Sequence, residues 1–102
     1  MARIAAIPVA GYGHHSDTRE VRFQVARSAR RHKIGRGHLR AALTNAGEPT
    51  ARTAQHNGQE RTYLDWIGVD ERGVELEITG RIADEDPDLV IIIHVMPTAL
   101  RK

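Results

Sequence analysis

The sequence predicts an α+β domain in which two short N-terminal helices pack on a small antiparallel β-sheet. Three observations carry that expectation. Val21, Phe23 and Val25 alternate with Arg22, Gln24 and Ala26, which is the period of a half-buried strand. Two short helical runs follow, over Ala29 to Lys33 and from about Arg36 to Thr44. Beyond them lie three strand-like segments, Arg61 to Ile67, Gly73 to Ile82 and Leu89 to Met96, separated by the acidic turn sequences VDERG and ADEDPD. Connections this short imply an antiparallel meander.

Taken in order, residues 1–20 show neither helical nor strand periodicity and contain Pro8, Gly11, Gly13 and the pair His14 and His15. They read as a flexible arm preceding a single domain over 21–102. Adjacent histidines point to opposite faces of a strand, and spacing places no third ligand, so no metal site is expected there. Ser28 is placed to cap the first helix, Gly35 separates the two, and Asn45-Ala46-Gly47 ends the second. Leu39, Ala42 and Leu43 form the second helix's narrow apolar stripe, with Ile34 packing beneath the hinge. Glu48 to Glu60 is polar, with a short edge strand expected around Thr50 to Ala54 and the turn at Asn57-Gly58.

In the first meander segment Thr62, Leu64 and Trp66 share one face, and Arg61, Tyr63 and Asp65 the other. In the second, Val74, Leu76 and Ile78 point inward while Glu75, Glu77 and Thr79 make an anionic outer face. The third is apolar on both faces from Leu89 to Ile93, as a central strand covered on both sides would be.

A chain of 102 residues can bury one modest core. It has no cysteine, which excludes a disulfide framework and thiolate zinc sites and fits a reducing, cytoplasmic setting. The opening MARIAAIPVAGYGHH is broken by Pro8, Gly11 and Gly13, so no signal peptide is expected. The longest strongly apolar run, Leu89 to Ile93, falls far short of a membrane span.

The net charge of +2 conceals an asymmetry. From Arg19 to Arg40 stand Arg19, Arg22, Arg27, Arg30, Arg31, Lys33, Arg36 and Arg40 against one acid, Glu20, with His32 and His38 interleaved. Asp65 to Asp88 holds nine of the 13 acids and only Arg72 and Arg81 as bases. The basic cluster suits a polyanion, although charge runs also serve simply as solvated faces.

The pieces Arg31-His32-Lys33-Ile34, then Gly35 to Asn45, then GVELEITGRI and the closing strand that ends MPTALRK resemble the BrnT-type toxins of bacterial toxin–antitoxin systems, small RelE/ParE-like proteins. The resemblance covers roughly residues 21–102. The chain departs from the family at Lys33, where the helix-joining turn usually has glycine, and in its N-terminal segment. The resemblance implies an endoribonuclease, free or ribosome-dependent, that cleaves mRNA and arrests growth. Its partner would be a small, largely acidic, DNA-binding cognate antitoxin. Some members of the wider superfamily poison a topoisomerase instead, so the fold would not fix the target.

Cleavage of RNA through its 2′-hydroxyl needs a base, an acid and a cation for the phosphorane, and no cofactor. His32, inside the basic cluster, is the first candidate for proton transfer, its alternative role being to satisfy carbonyls at a helix end. His94 is the second, although register with Val90 and Ile92 would bury it. Arg61 and Tyr63, roughly 7 Å apart on one strand face, could bracket a phosphate and a stacked base. Arg27, Arg30, Arg31, Lys33, Arg36, Arg40 and the tail residue Arg101 are the expected RNA contacts. No phosphate loop, His-x-x-x-His pair or Ser-His-Asp grouping is legible, so a metal-free mechanism is the default. The competing reading is a non-catalytic module that binds nucleic acid or protein through the same cluster.

Overall fold

A computed structural model of the protein describes the backbone of residues 2–9 and 19–100 and the side chains of residues 21–100. Six strands, β1 (Ala2–Val9), β2 (Arg19–Val25), β3 (Thr50–His56), β4 (Gln59–Val69), β5 (Glu75–Ala83) and β6 (Asp86–Pro97), form one sheet in the order β1-β2-β6-β5-β4-β3. All neighbours run antiparallel except β2 and β6, which are parallel, with Phe23 beside Val90 and Val25 beside Ile92. A single α-helix, α1 (Arg36–Asn45), lies between β2 and β3. The fold is α+β, but it contradicts the expected arrangement: there is one α-helix rather than two, and the sheet is mixed rather than antiparallel.

The first expected helix is only a 3₁₀ turn over Arg27–Arg30. Five residues are too few to offset helix nucleation, and Lys33 leaves the helical region at φ 56°. That is the left-handed conformation glycine adopts most readily, so the turn keeps the shape that the missing glycine would favour. Ser28 does not cap the turn. Its hydroxyl donates to the Ile93 carbonyl at 3.2 Å, which ties the turn to β6.

The segment expected to be an arm contains β1, paired antiparallel with β2 over Ala2–Val9. Its register slips by one residue between Ile4 and Ile7, which erases the alternation a strand would show in sequence. Pro8 is tolerated because β1 is an edge. His14, His15 and Arg101 lie outside the described residues.

The core sits between one sheet face and α1. Val21, Phe23, Leu64, Trp66, Leu76, Ile78, Val90 and Ile92 point inward to meet Leu39, Ala42 and Leu43, and Ile34 packs at the margin. Phe23 and Trp66 meet edge-on at 5.8 Å between ring centres. The helix crosses β4 at Gly68, where its backbone approaches so closely that no side chain fits. Asn57 and Gly58, at φ 52° and 78°, close a two-residue hairpin between β3 and β4, as their sequence implies.

β6 is central, but among the described residues a helix covers only one of its faces. A bulge also resets the alternation along β6. Thr79 lies opposite His94 and Gly80 opposite Ile92, leaving Ile93 as the extra residue. Val90, Ile92 and Val95 are therefore buried, while His94 turns to the open face. Among the described residues no helix is long and apolar enough to cross a membrane.

Candidate functional site

Two surfaces carry the residues singled out above. The first is built on the 3₁₀ turn and the start of α1. Its position is set by backbone bonds: Ala26 N–H to the Ile92 carbonyl at 2.8 Å, Ala29 N–H to Ala26 at 3.0 Å and Lys33 N–H to Arg30 at 2.9 Å. Burying Ala29 presses the turn onto the core and leaves Arg27, Arg30, Arg31 and Lys33 exposed, with His32 half-buried among them. Among the described residues no carboxylate pairs with these four cations. Arg36 and Arg40 extend the exposed basic surface along α1. Gly35 supplies no side-chain cap and the first turn of α1 has no acid, so the positive end of the helix adds to the same field. A recess of about 330 Å³, lined by Val25, Ala26, Arg27 and Arg30, opens beside the turn.

His38, also in the first turn of α1, is differently placed. Its Nδ1 meets Glu71 from the turn between β4 and β5, beside the buried Asp70. His38, Asp70 and Glu71 bring potential metal-ligating atoms together, but the Asp70 carboxylate is already engaged. It accepts from the Arg72 guanidinium at 2.7 and 3.1 Å and from the backbone N–H groups of Arg72 and Val74 at 2.8 and 3.2 Å. The Arg72 bonds hold Asp70 below the usual carboxylate range against the opposing effect of burial. The cluster reads as a clamp on a turn rather than a metal centre.

The second surface is the open face of the sheet. Asp65, Thr79 and His94 stand side by side on β4, β5 and β6, and Tyr63, Arg81 and Ile91 form the neighbouring row. Arg52 reaches from β3 to donate to Asp65 at 2.8 Å, with its guanidinium 4.9 Å from the Tyr63 ring centre. Thr79 donates to the other Asp65 oxygen at 2.7 Å, and His94 Nε2 donates to Glu77 at 2.9 Å. A shallow groove of about 370 Å³, lined in part by Glu48, Thr50, Asp65, Ile67, Glu77 and Thr79, runs along this face.

Arg61, Tyr63 and His94 thus share the open face, while His32 belongs to the separate basic surface. The four candidate catalytic residues do not form one constellation. His94 is not the buried residue that simple alternation implies, since its side chain is 41% exposed. Among the described residues the arginines of this face are compensated: Arg52 by Asp65, Arg61 and Arg81 by Asp84 at 3.6 and 4.0 Å, and Arg22 by Asp86. Sequence reasoning missed Arg52 as a partner of this face. The i, i+2 spacing does put Asp65 beside Tyr63, but nothing local shows that β3 would bring Arg52 opposite Tyr63.

Partial burial alone would raise Asp65, but hydrogen bonds from Arg52 and Thr79, together with the Arg52 charge, hold it below its ordinary value. Asp65 should therefore contribute stability in full above its unfolded pKa of about 4 and lose that contribution as pH falls through the lower folded value. In acid-unfolding titrations, Asp65→Asn should flatten the dependence in this window while changing its slope little at higher pH. An unchanged acid limb would contradict the assignment.

Compared with protein-family models, with curated proteins and with solved structures, the chain matches none.

Proposed function

We propose that this protein binds RNA through its basic 3₁₀ turn and the start of α1, and cleaves it by acid–base catalysis as the toxin of a toxin–antitoxin pair. The observation that supports it is the contrast between the two surfaces. Among the described residues, Arg27, Arg30, Arg31 and Lys33 are exposed without acidic partners, whereas Arg22, Arg52, Arg61 and Arg81 of the open sheet face each have one. Unpaired cations gain most from a phosphate backbone, because binding neither breaks an existing ion pair nor exposes a carboxylate to the ligand. His32 sits within this segment, half-buried between the exposed Arg31 and Lys33. The toxin part of the reading, with its cognate antitoxin and growth arrest, comes from the resemblance of Arg31 to Asn45 and the closing strand to BrnT-type toxins.

A specific feature favours a second reading, a non-catalytic RNA-binding module. Two proton transfers need two groups, and His38, the other imidazole near the turn, is held by Glu71. One experiment separates the two. Induced expression in bacteria should arrest growth and yield new RNA ends if the chain is a nuclease. Salt-sensitive RNA binding with intact transcripts would identify the module. Soluble protein that neither arrests growth nor binds RNA would sink both, and DNA breaks with intact RNA would point to a topoisomerase.

A further inference from the structure

We infer that β3 is a self-pairing edge, through which two copies of this chain join their sheets in antiparallel register about Thr53. β3 ends the sheet and pairs on one side only among the described residues, with β4. Seven consecutive pairs, from Thr50 opposite Asp65 to His56 opposite Gln59, run without a bulge. The two-residue turn at Asn57-Gly58 makes His56 and Gln59 a hydrogen-bonded pair. Alternation then points the N–H and carbonyl groups of His56, Ala54, Arg52 and Thr50 toward β4, and those of Gln55, Thr53 and Ala51 toward the free edge.

The usual protections of an edge are missing from this strand. It contains no proline, no lysine and no bulge, and Pro49 stops just short of it. Its only charged side chain, Arg52, is folded back onto its own sheet, bonded to Asp65 and stacked near Tyr63. What remains is a neutral, small-residue strand, TARTAQH, that is nearly all exposed.

That composition selects a second copy as the occupant. With Thr53 opposite its symmetry mate, Ala51 faces Gln55, Arg52 faces Ala54 and Thr50 faces His56. No like charges stand directly opposed, and the outward groups of Ala51, Thr53 and Gln55 bond in three reciprocal pairs. Pairing one strand with another covers little surface, so the dimer is weak and concentration-dependent.

The test reads mass and crosslinking, and so is independent of RNA binding or cleavage. Sedimentation of the wild-type chain from roughly 1 µM to 1 mM, the span of weak association, should show the average mass rising from 11.4 kDa toward twice that value. Thr53→Pro removes an outward N–H without touching a bond to β4, and should stay folded and monomeric. Because the chain has no cysteine, single cysteines report the register. Thr53→Cys places two thiols about 5.5 Å apart by Cα, within disulfide reach, and should crosslink under mild oxidation. Gln55→Cys sits four residues from its mate and should not. A chain monomeric across the range, leaving its edge to another protein's strand, overturns the inference, as does equal crosslinking of both cysteines.

Discussion

Gly68→Ala should cost about 3 kcal/mol or more of folding stability, over half of the total for a protein at the low end of the usual range of about 5–15 kcal/mol. A Cβ at this position would fall inside van der Waals contact of the Ala42 carbonyl oxygen, 2.9 Å from its carbon and 3.0 Å from the Ala46 side chain. The obstacle is helix backbone, which cannot rotate away as a side chain can, so α1 must lift off β4 and separate Leu39 and Leu43 from their core contacts. Gly80→Ala should be milder, about 1–3 kcal/mol, because its nearest neighbours are the side chains of Val90, Ile92 and Trp66. Gly47→Ala, with open space around it, should be nearly neutral. Urea unfolding midpoints of the three variants would test the ranking. Ala42→Gly should fail to rescue Gly68→Ala, since the clash is with a carbonyl that any residue carries.

The same glycine shows what sequence patterns can and cannot carry. Its neighbours Leu64 and Trp66 announce a strand with one buried face, and Leu39, Ala42 and Leu43 announce the helical stripe that meets it. That β4 runs beneath this helix depends on pairings between residues far apart in the chain, which no local period encodes. The parallel contact of β2 with β6 was hidden for the same reason, because short connections reveal only consecutive neighbours. Two bulges defeated periodicity outright. One masked β1, and the other moved His94 from the buried face on which Val90 and Ile92 lie to the open one.

Site residues follow the same division. Arg61 and Tyr63 were legible as a pair because both lie on one uninterrupted strand, and the exposed cations from Arg27 to Lys33 because a short cationic turn has little else to bury. The ion pairs that neutralise the sheet face, Arg52 with Asp65 and Arg61 with Asp84, join residues 13 and 23 positions apart and became visible only with the register. Those pairs shift the balance toward the basic turn. An arginine already bonded to a carboxylate must exchange partners before it can hold a phosphate, and the carboxylate it releases then repels the ligand.

On this basis His32→Ala should reduce RNA cleavage by roughly a hundredfold or more while leaving folding and RNA affinity nearly intact, the signature of lost proton transfer. Arg30→Ala or Arg31→Ala should instead weaken binding and reduce its salt dependence by about one counterion each. The distinction is measurable because His32 is half-buried in the turn while the two arginines are exposed beside it. If His32 only satisfies backbone at the end of the 3₁₀ turn, its loss should instead lower stability by about 1 kcal/mol with little effect on rate. Full cleavage by a folded His32→Ala protein would transfer the chemistry to the open face. There His94→Ala would be the next substitution, since its imidazole is the one proton-transfer group in that row already oriented by a carboxylate, Glu77 at 2.9 Å.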